Sequence, residues 1–199
     1  LASPLRDVYK RQIKKVRNTQ RSKREDSGMP RVSLVGYTNV GKSTLRNVLV
    51  DMYQNDKTLK KEEVLSQDML FATLDTTTRT IELKDKRIVS LTDTVGFIQK
   101  LPHDLVESFK STLEEVIFSD LIIHVADISS KNVIEQIDAV ENVLEELNCL
   151  DKTKILLLNK IDNVTKDNSF PLMEKKIEEI KAKYTNYQIL IISAKNRFN

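Results

Sequence analysis

Gly36-Tyr37-Thr38-Asn39-Val40-Gly41-Lys42-Ser43-Thr44 is the stretch whose reading decides the fold. It meets the pattern GxxxxGK[ST] at every fixed position, and its flanks give the pattern meaning. The apolar run Val32 to Val35 in front reads as a buried strand. Behind it, Leu45, Val48 and Leu49 recur at helical spacing, so the glycines fall in a strand-to-helix turn. Gly36 and Gly41 let the backbone turn tightly and bring its N–H groups against phosphate oxygens, and the positive end of the following helix adds to the attraction. Lys42 is expected to reach the β- and γ-phosphates and Ser43 to offer its hydroxyl to Mg²⁺. The competing reading is a glycine-rich turn that binds nothing, and the rest of the chain bears on that choice.

Composition bounds the answer. The 199 residues can form one sizeable core and are few for two. Net charge is +3, but residues 1–30 carry nine Lys or Arg against three acids, so the basicity is local. This stretch reads as a basic linker or tail. Its sharper alternative is an arm that meets RNA phosphate. Residues 1–12, which begin without Met, resemble a vector-derived scar and carry no functional weight. One cysteine, Cys149, excludes an intrachain disulfide and fits a reducing cytoplasm, with a buried structural role expected. No apolar run reaches the roughly 18 to 20 residues of a membrane span, and a soluble protein is expected.

From residue 31 onward, short apolar runs alternate with amphipathic stretches, the pattern of βα units around a mostly parallel sheet. Ile81–Leu83 and Ile88–Leu91, separated by Lys84-Asp85-Lys86-Arg87, read as an antiparallel hairpin at one edge. Leu105, Phe109, Leu113 and Val116 mark a helix. Leu121–Ala126 is nearly continuously apolar, as a strand buried on both faces should be. Val133, Ile137, Val140, Leu144 and Leu147 mark a second long helix, Ile155–Leu158 a strand, Met173, Ile177 and Ile180 a helix, and Ile189–Ile192 a last strand. The expected order is β-α-β-β-α-β-α-β-α-β: six strands, one of them antiparallel at an edge. His124, inside a buried strand, and His103, after Pro102, each lack a second ligand at metal spacing and read as structural.

The nucleotide is decided downstream. Asp93-Thr94-Val95-Gly96 puts a carboxylate at a strand's end, where it can hold the Mg²⁺ shell, and Gly96 can bring its N–H to the γ-phosphate. Asn159-Lys160-Ile161-Asp162 follows a strand at the same edge, where open α/β sheets bind ligands. Asp162 can accept two hydrogen bonds from guanine that adenine cannot offer. A site built on such bonds rejects the analogue lacking them by about 10⁴-fold, which disfavours an ATPase or small-molecule kinase. Ser193-Ala194-Lys195 can finish the pocket with a backbone N–H toward the guanine O6. Phe97 stands where many such sites have a glutamine, and it cannot orient water, so slow intrinsic hydrolysis of GTP to GDP is expected.

From Val32 to Lys195 the chain resembles the translation-factor-related branch of the P-loop GTPases. Residues 36–44, Leu70-Phe71-Ala72-Thr73-Leu74-Asp75, Asp93-Thr94-Val95-Gly96-Phe97-Ile98 and Leu101-Pro102-His103-Asp104-Leu105-Val106-Glu107-Ser108-Phe109 are similar to the HflX family of ribosome-binding GTPases. The resemblance implies a three-layer α/β/α P-loop NTPase domain over residues 31–199, lacking its final helix and the family's amino-terminal domain. It implies a monomeric cytoplasmic switch whose GTP state meets the large ribosomal subunit and its rRNA, in ribosome splitting or rescue. Lys42, Thr73 and Gly96 would be its catalytic groups, and Ser43, Thr73 and Asp93 its Mg²⁺ contacts, with Thr76, Thr77 and Thr78 as rivals to Thr73. Asn39 resembles the asparagine with which some GTPases hold K⁺. Arg46 departs from the family's usual apolar residue, which would weaken packing on the first helix. A nucleotide-gated binding module with negligible hydrolysis is the alternative.

Overall fold

The computed structural model describes residues 28–53, 77–94, 96, 115–164 and 170–197. The chain divides after Pro30, and the second unit, Arg31–Asn199, holds the sheet. Its strands are β1 (Arg31–Val35), β2 (Thr77–Glu82), β3 (Ile88–Asp93), β4 (Leu121–Asp127), β5 (Thr153–Asn159) and β6 (Gln188–Ile191). They form one six-stranded sheet in the order β2-β3-β1-β4-β5-β6. Only β2 runs antiparallel, against β3. The helices are α1 (Lys42–Tyr53), α2 (Val133–Glu146), the single turn α3 (Ile161–Val164) and α4 (Phe170–Lys183), and residues 115–117 are also helical.

The two-residue period of the strands sorts the core into two faces. Leu34, Leu91, Val125 and Leu157 point to the side covered by α1, where they meet Leu45. Their neighbours point the other way: Ala126, Leu156 and Leu158 pack with Ile137 of α2 and Ile177 and Ile180 of α4, while Val35 and Ile122 pack with Val116, Val140 and Leu144. Leu34, Val35, Ile122, Val125, Leu156 and Leu158 are all fully buried. Each such side chain contributes about 1.5–3 kcal/mol by leaving water, so the central strands, covered on both faces, dominate the stability of the unit.

Local chemistry fixes the element ends. α2 closes with Asn148 in the left-handed region (φ 56°), the Asn148 N–H reaching Glu145 O at 2.9 Å and the Cys149 N–H reaching Leu144 O at 2.8 Å. This is a Schellman closure, and it turns Cys149 inward against Leu144, which buries the thiol. His124 is buried, its Nδ1 3.4 Å from the Tyr187 hydroxyl, and burial pushes its pKa down to about 3. It is a neutral core residue.

The hairpin begins earlier than the apolar runs indicate. β2 spans Thr77–Glu82, because Thr77 to Thr80 pair with Asp93 to Ser90 whatever their polarity, and Leu83 lies in the turn. The expected helix around Leu105 and Phe109 lies outside the described residues, as do Thr73, Thr76, Phe97 and His103. Among the described residues no helix is long and apolar enough to cross a membrane.

Candidate functional site

Five parallel strands all end at one edge of the sheet, so the segments after Val35, Asp93, Asp127, Asn159 and Ile191 share it. Residues 36–41 form the first of these turns, and two of its glycines are required by contact as well as by backbone angle. Gly36 has φ 150°, and a Cβ there would stand 2.2 Å from Val125 O. Gly41 has φ 97°, and a Cβ there would stand 2.5 Å from Asn159 Nδ2. Val40, 1% exposed, plugs the turn into the core, while Asn39 (φ 61°) stands exposed at its tip and Tyr37 and Thr38 are half-buried.

Lys42 opens α1 and folds its ammonium back over the turn, donating to Gly36 O at 3.0 Å and Tyr37 O at 2.9 Å. Burial lowers its pKa to about 8, against the pull of Asp93 in the other direction. Gly96 lies directly against this arrangement, its Cβ position 2.8 Å from Thr38 Cα and 3.1 Å from Lys42 Nζ. The segment after β3 therefore lies against the turn after β1, with its backbone close to the ammonium. Thr94 secures it, donating from both N and Oγ1 to Leu34 O at 3.3 and 2.6 Å.

Ser43 Oγ donates to Asp93 Oδ2 at 2.8 Å, and Asp93 is fully buried. A hydroxyl and a carboxylate in contact beside the phosphate turn are the hard oxygen donors that suit Mg²⁺, which takes one or two protein ligands and completes its octahedron with phosphate and water. Arg46 shares that carboxylate: its Nη1 lies 3.5 Å from Asp93 Oδ2. Its side chain is enclosed, 3% exposed, so packing on α1 is closed around a charge and not loosened by it. Thr44 is half-buried on the first turn. Thr77 and Thr78 belong to β2, where the Thr78 hydroxyl meets that of Thr92 at 3.0 Å.

The base side of the edge is tied together by Asn159. Its Nδ2 donates to Val40 O at 2.8 Å and its Oδ1 accepts the Ala194 N–H at 2.9 Å, so one amide braces three segments. Lys160 (φ 65°) spans the same gap, donating to Asn39 O at 2.5 Å and pairing with Asp127 Oδ2 at 2.9 Å. Asp162, half-buried on α3, accepts Ser193 Oγ at 2.6 Å, and the same Oγ accepts the Asn196 N–H at 3.2 Å. Lys195 is exposed. The described candidates from Gly36 to Ser43, with Asp93, Gly96, Asn159, Lys160, Asp162, Ser193 and Ala194, thus lie along one edge of the sheet. Thr94, Asp127 and the pairing of Arg46 are the parts that sequence reasoning missed. Of these, only Thr94 stood inside a sequence motif, Asp93-Thr94-Val95-Gly96.

A sequence family described as 50S ribosome-binding GTPase matches residues 31–160. GTPase HflX of Caldanaerobacter subterraneus subsp. tengcongensis is 50% identical over 153 residues, which are 76% of this chain and 33% of that protein. The chain spans about a third of the length of the curated relatives it matches. Among solved structures, a GTP-binding protein from Sulfolobus solfataricus in complex with GDP superposes with a TM-score of 0.60 at 28% identity, over 98% of this chain and 55% of that one. Era in complex with MgGDPNP and nucleotides 1506–1542 of 16S ribosomal RNA superposes with a TM-score of 0.63 at 26% identity, over 86% of this chain and 53% of that one.

Proposed function

The chain belongs to the 50S ribosome-binding GTPase family, and we propose that it binds and slowly hydrolyses GTP and that its GTP state associates with the large ribosomal subunit. The observation that carries the reading is the contact of Gly96 with Thr38 and Lys42 at the sheet edge that Asn159 and Asp162 also reach. In this reading the phosphate-side and base-side residues belong to the same edge of the sheet.

In this reading the turn 36–41 receives phosphate oxygens on its N–H groups, and the Lys42 ammonium exchanges two carbonyls for phosphate. Ser43 and Asp93 would hold Mg²⁺, which supplies charge to the phosphate oxygens when bound. The Gly96 N–H meets the γ-phosphate, and Asp162 accepts the two guanine donors while Ser193 fixes its orientation. Thr73 is the proposed switch threonine, and Asn39 the proposed K⁺ ligand. Phe97 gives the chain no water-orienting group at that position, so hydrolysis waits on a partner. Relatives named HflX and an rRNA-bound Era neighbour support a ribosomal partner.

Single-turnover GTP hydrolysis with and without purified large subunits tests the switch. Stimulation on the scale of 10³-fold or more, the lower end of what groups supplied in trans achieve, is the expected outcome. GTP binding with no stimulation would leave a nucleotide-gated binding module. Asp162→Asn tests the base: it should move preference from GTP toward XTP, because an amide donates where the carboxylate accepted. An unchanged GTP-to-XTP affinity ratio would sink the assignment.

A further inference from the structure

Position 46 lies on the buried face of α1 and carries a permanent charge. Arg46 Nε and Nη2 donate to Asn47 Oδ1 at 3.2 and 2.9 Å, and the guanidinium held in this way points Nη1 at Asp93 Oδ2, 3.5 Å off. That oxygen is also the one that accepts Ser43 Oγ. A guanidinium cannot shed its proton to escape burial, so it stays where a carboxylate compensates it. Arg79 on β2 opposes its charge and Asp93 favours it, while the Asn47 amide fixes where the guanidinium points. Asp93, fully buried, needs a countercharge in turn.

We infer that Arg46 is a built-in countercation for Asp93: it neutralises the carboxylate when no dication stands at Ser43 and Asp93, and it opposes the dication when one does, so that nucleotide retention depends less on Mg²⁺ than an apolar residue at this position would allow. The inference rests on the nucleotide reading above. Two cations sharing one carboxylate oxygen repel each other, and in a site this enclosed salt does not screen them. Lys42, Arg46, Arg79 and Asp93 sum to two positive charges where, without Arg46, they would sum to one. The phosphates therefore meet a net attraction before any metal arrives.

The test is the rate at which a fluorescent GDP analogue leaves the 199-residue chain, measured in Mg²⁺ and again in EDTA. The ratio of the two rates measures dependence on the metal, and a mere change in stability or packing moves both rates together and leaves the ratio alone. Arg46→Met should raise the ratio about tenfold, one decade for each ~1.4 kcal/mol of altered interaction. Arg46→Lys, which keeps a charge near Asp93, should stay within about threefold of the parent. If Arg46→Met does not fold, Asn47→Ala takes its place, since it frees the guanidinium without deleting it and should shift the ratio the same way by less. Nucleotide bound by the parent with equal ratios in the folded variants overturns the inference alone. A parent chain that binds no GDP overturns the nucleotide reading and this inference with it.

Discussion

Lys42 shows how a single residue can be prepared for an anion. Its ammonium is buried, satisfied by two carbonyls of its own turn, and pushed down to a pKa of about 8. Because the folded value lies below the unfolded 10.5, the unfolded chain binds more protons between about pH 8 and 10.5, and stability rises with pH across that window. The burial of the charged form is therefore a cost borne at neutral pH. A phosphate beside Nζ would favour the charged form and raise the pKa again. Nucleotide binding should then take up close to one proton at about pH 9 and nearly none at about pH 7, by linkage. Calorimetry in two buffers of different ionisation enthalpy reads the uptake directly. Equal uptake at both pH values would mean that Lys42 does not face the phosphates.

Among the elements, the loops at the strand ends are held by side chains reaching far along the sequence. Asn159 joins the end of β5 to Val40 across 119 residues and to Ala194 across 35. Asn159→Ala strands a buried carbonyl and a buried N–H at about 1–3 kcal/mol each, so a loss of roughly 2 kcal/mol or more is expected. In a domain of this size that lowers Tm by at least about 4 °C, with nucleotide affinity falling as the turn loosens. An unchanged melting curve would count against the brace. The sequence shows the strands plainly, because Leu34, Ile122 and Leu156 belong to apolar runs that only burial on both faces explains. It does not show the early start of β2, where pairing with β3 decides, nor the single turn α3, too short for any periodicity. It identified Asn159 as a base-side residue, but its partners become visible only when three strand ends meet. The Arg46–Asp93 pair was hidden for the same reason: 47 positions separate its members, and nothing local at either one announces the other.

At the scale of the molecule, the sheet has a chemical edge and a plain one. All the candidate residues that are described gather at the carboxyl ends of the parallel strands, which the motif order indicated, since each motif follows an apolar run. The opposite edge carries the β2–β3 turn. Leu83 and Arg87 close it with a 2.8 Å backbone hydrogen bond, Lys86 takes φ 69°, and residues 84–87 are exposed. Asp93 lies five residues up β3 from Ile88, about 17 Å away at strand rise. The chain's one cysteine is buried. Lys84→Cys would thus create a single reagent-accessible thiol, far from the nucleotide edge, on a turn whose backbone bonds do not involve residue 84. A dye or surface tether attached there should leave Tm within about 1 °C, as substitutions at exposed positions usually do. Doubly labelled or displaced protein, seen by mass spectrometry or a lowered Tm, would argue otherwise. The feature that closes the hairpin is therefore also a site-selective handle, through which individual molecules could be watched while nucleotide comes and goes at the other end of the sheet.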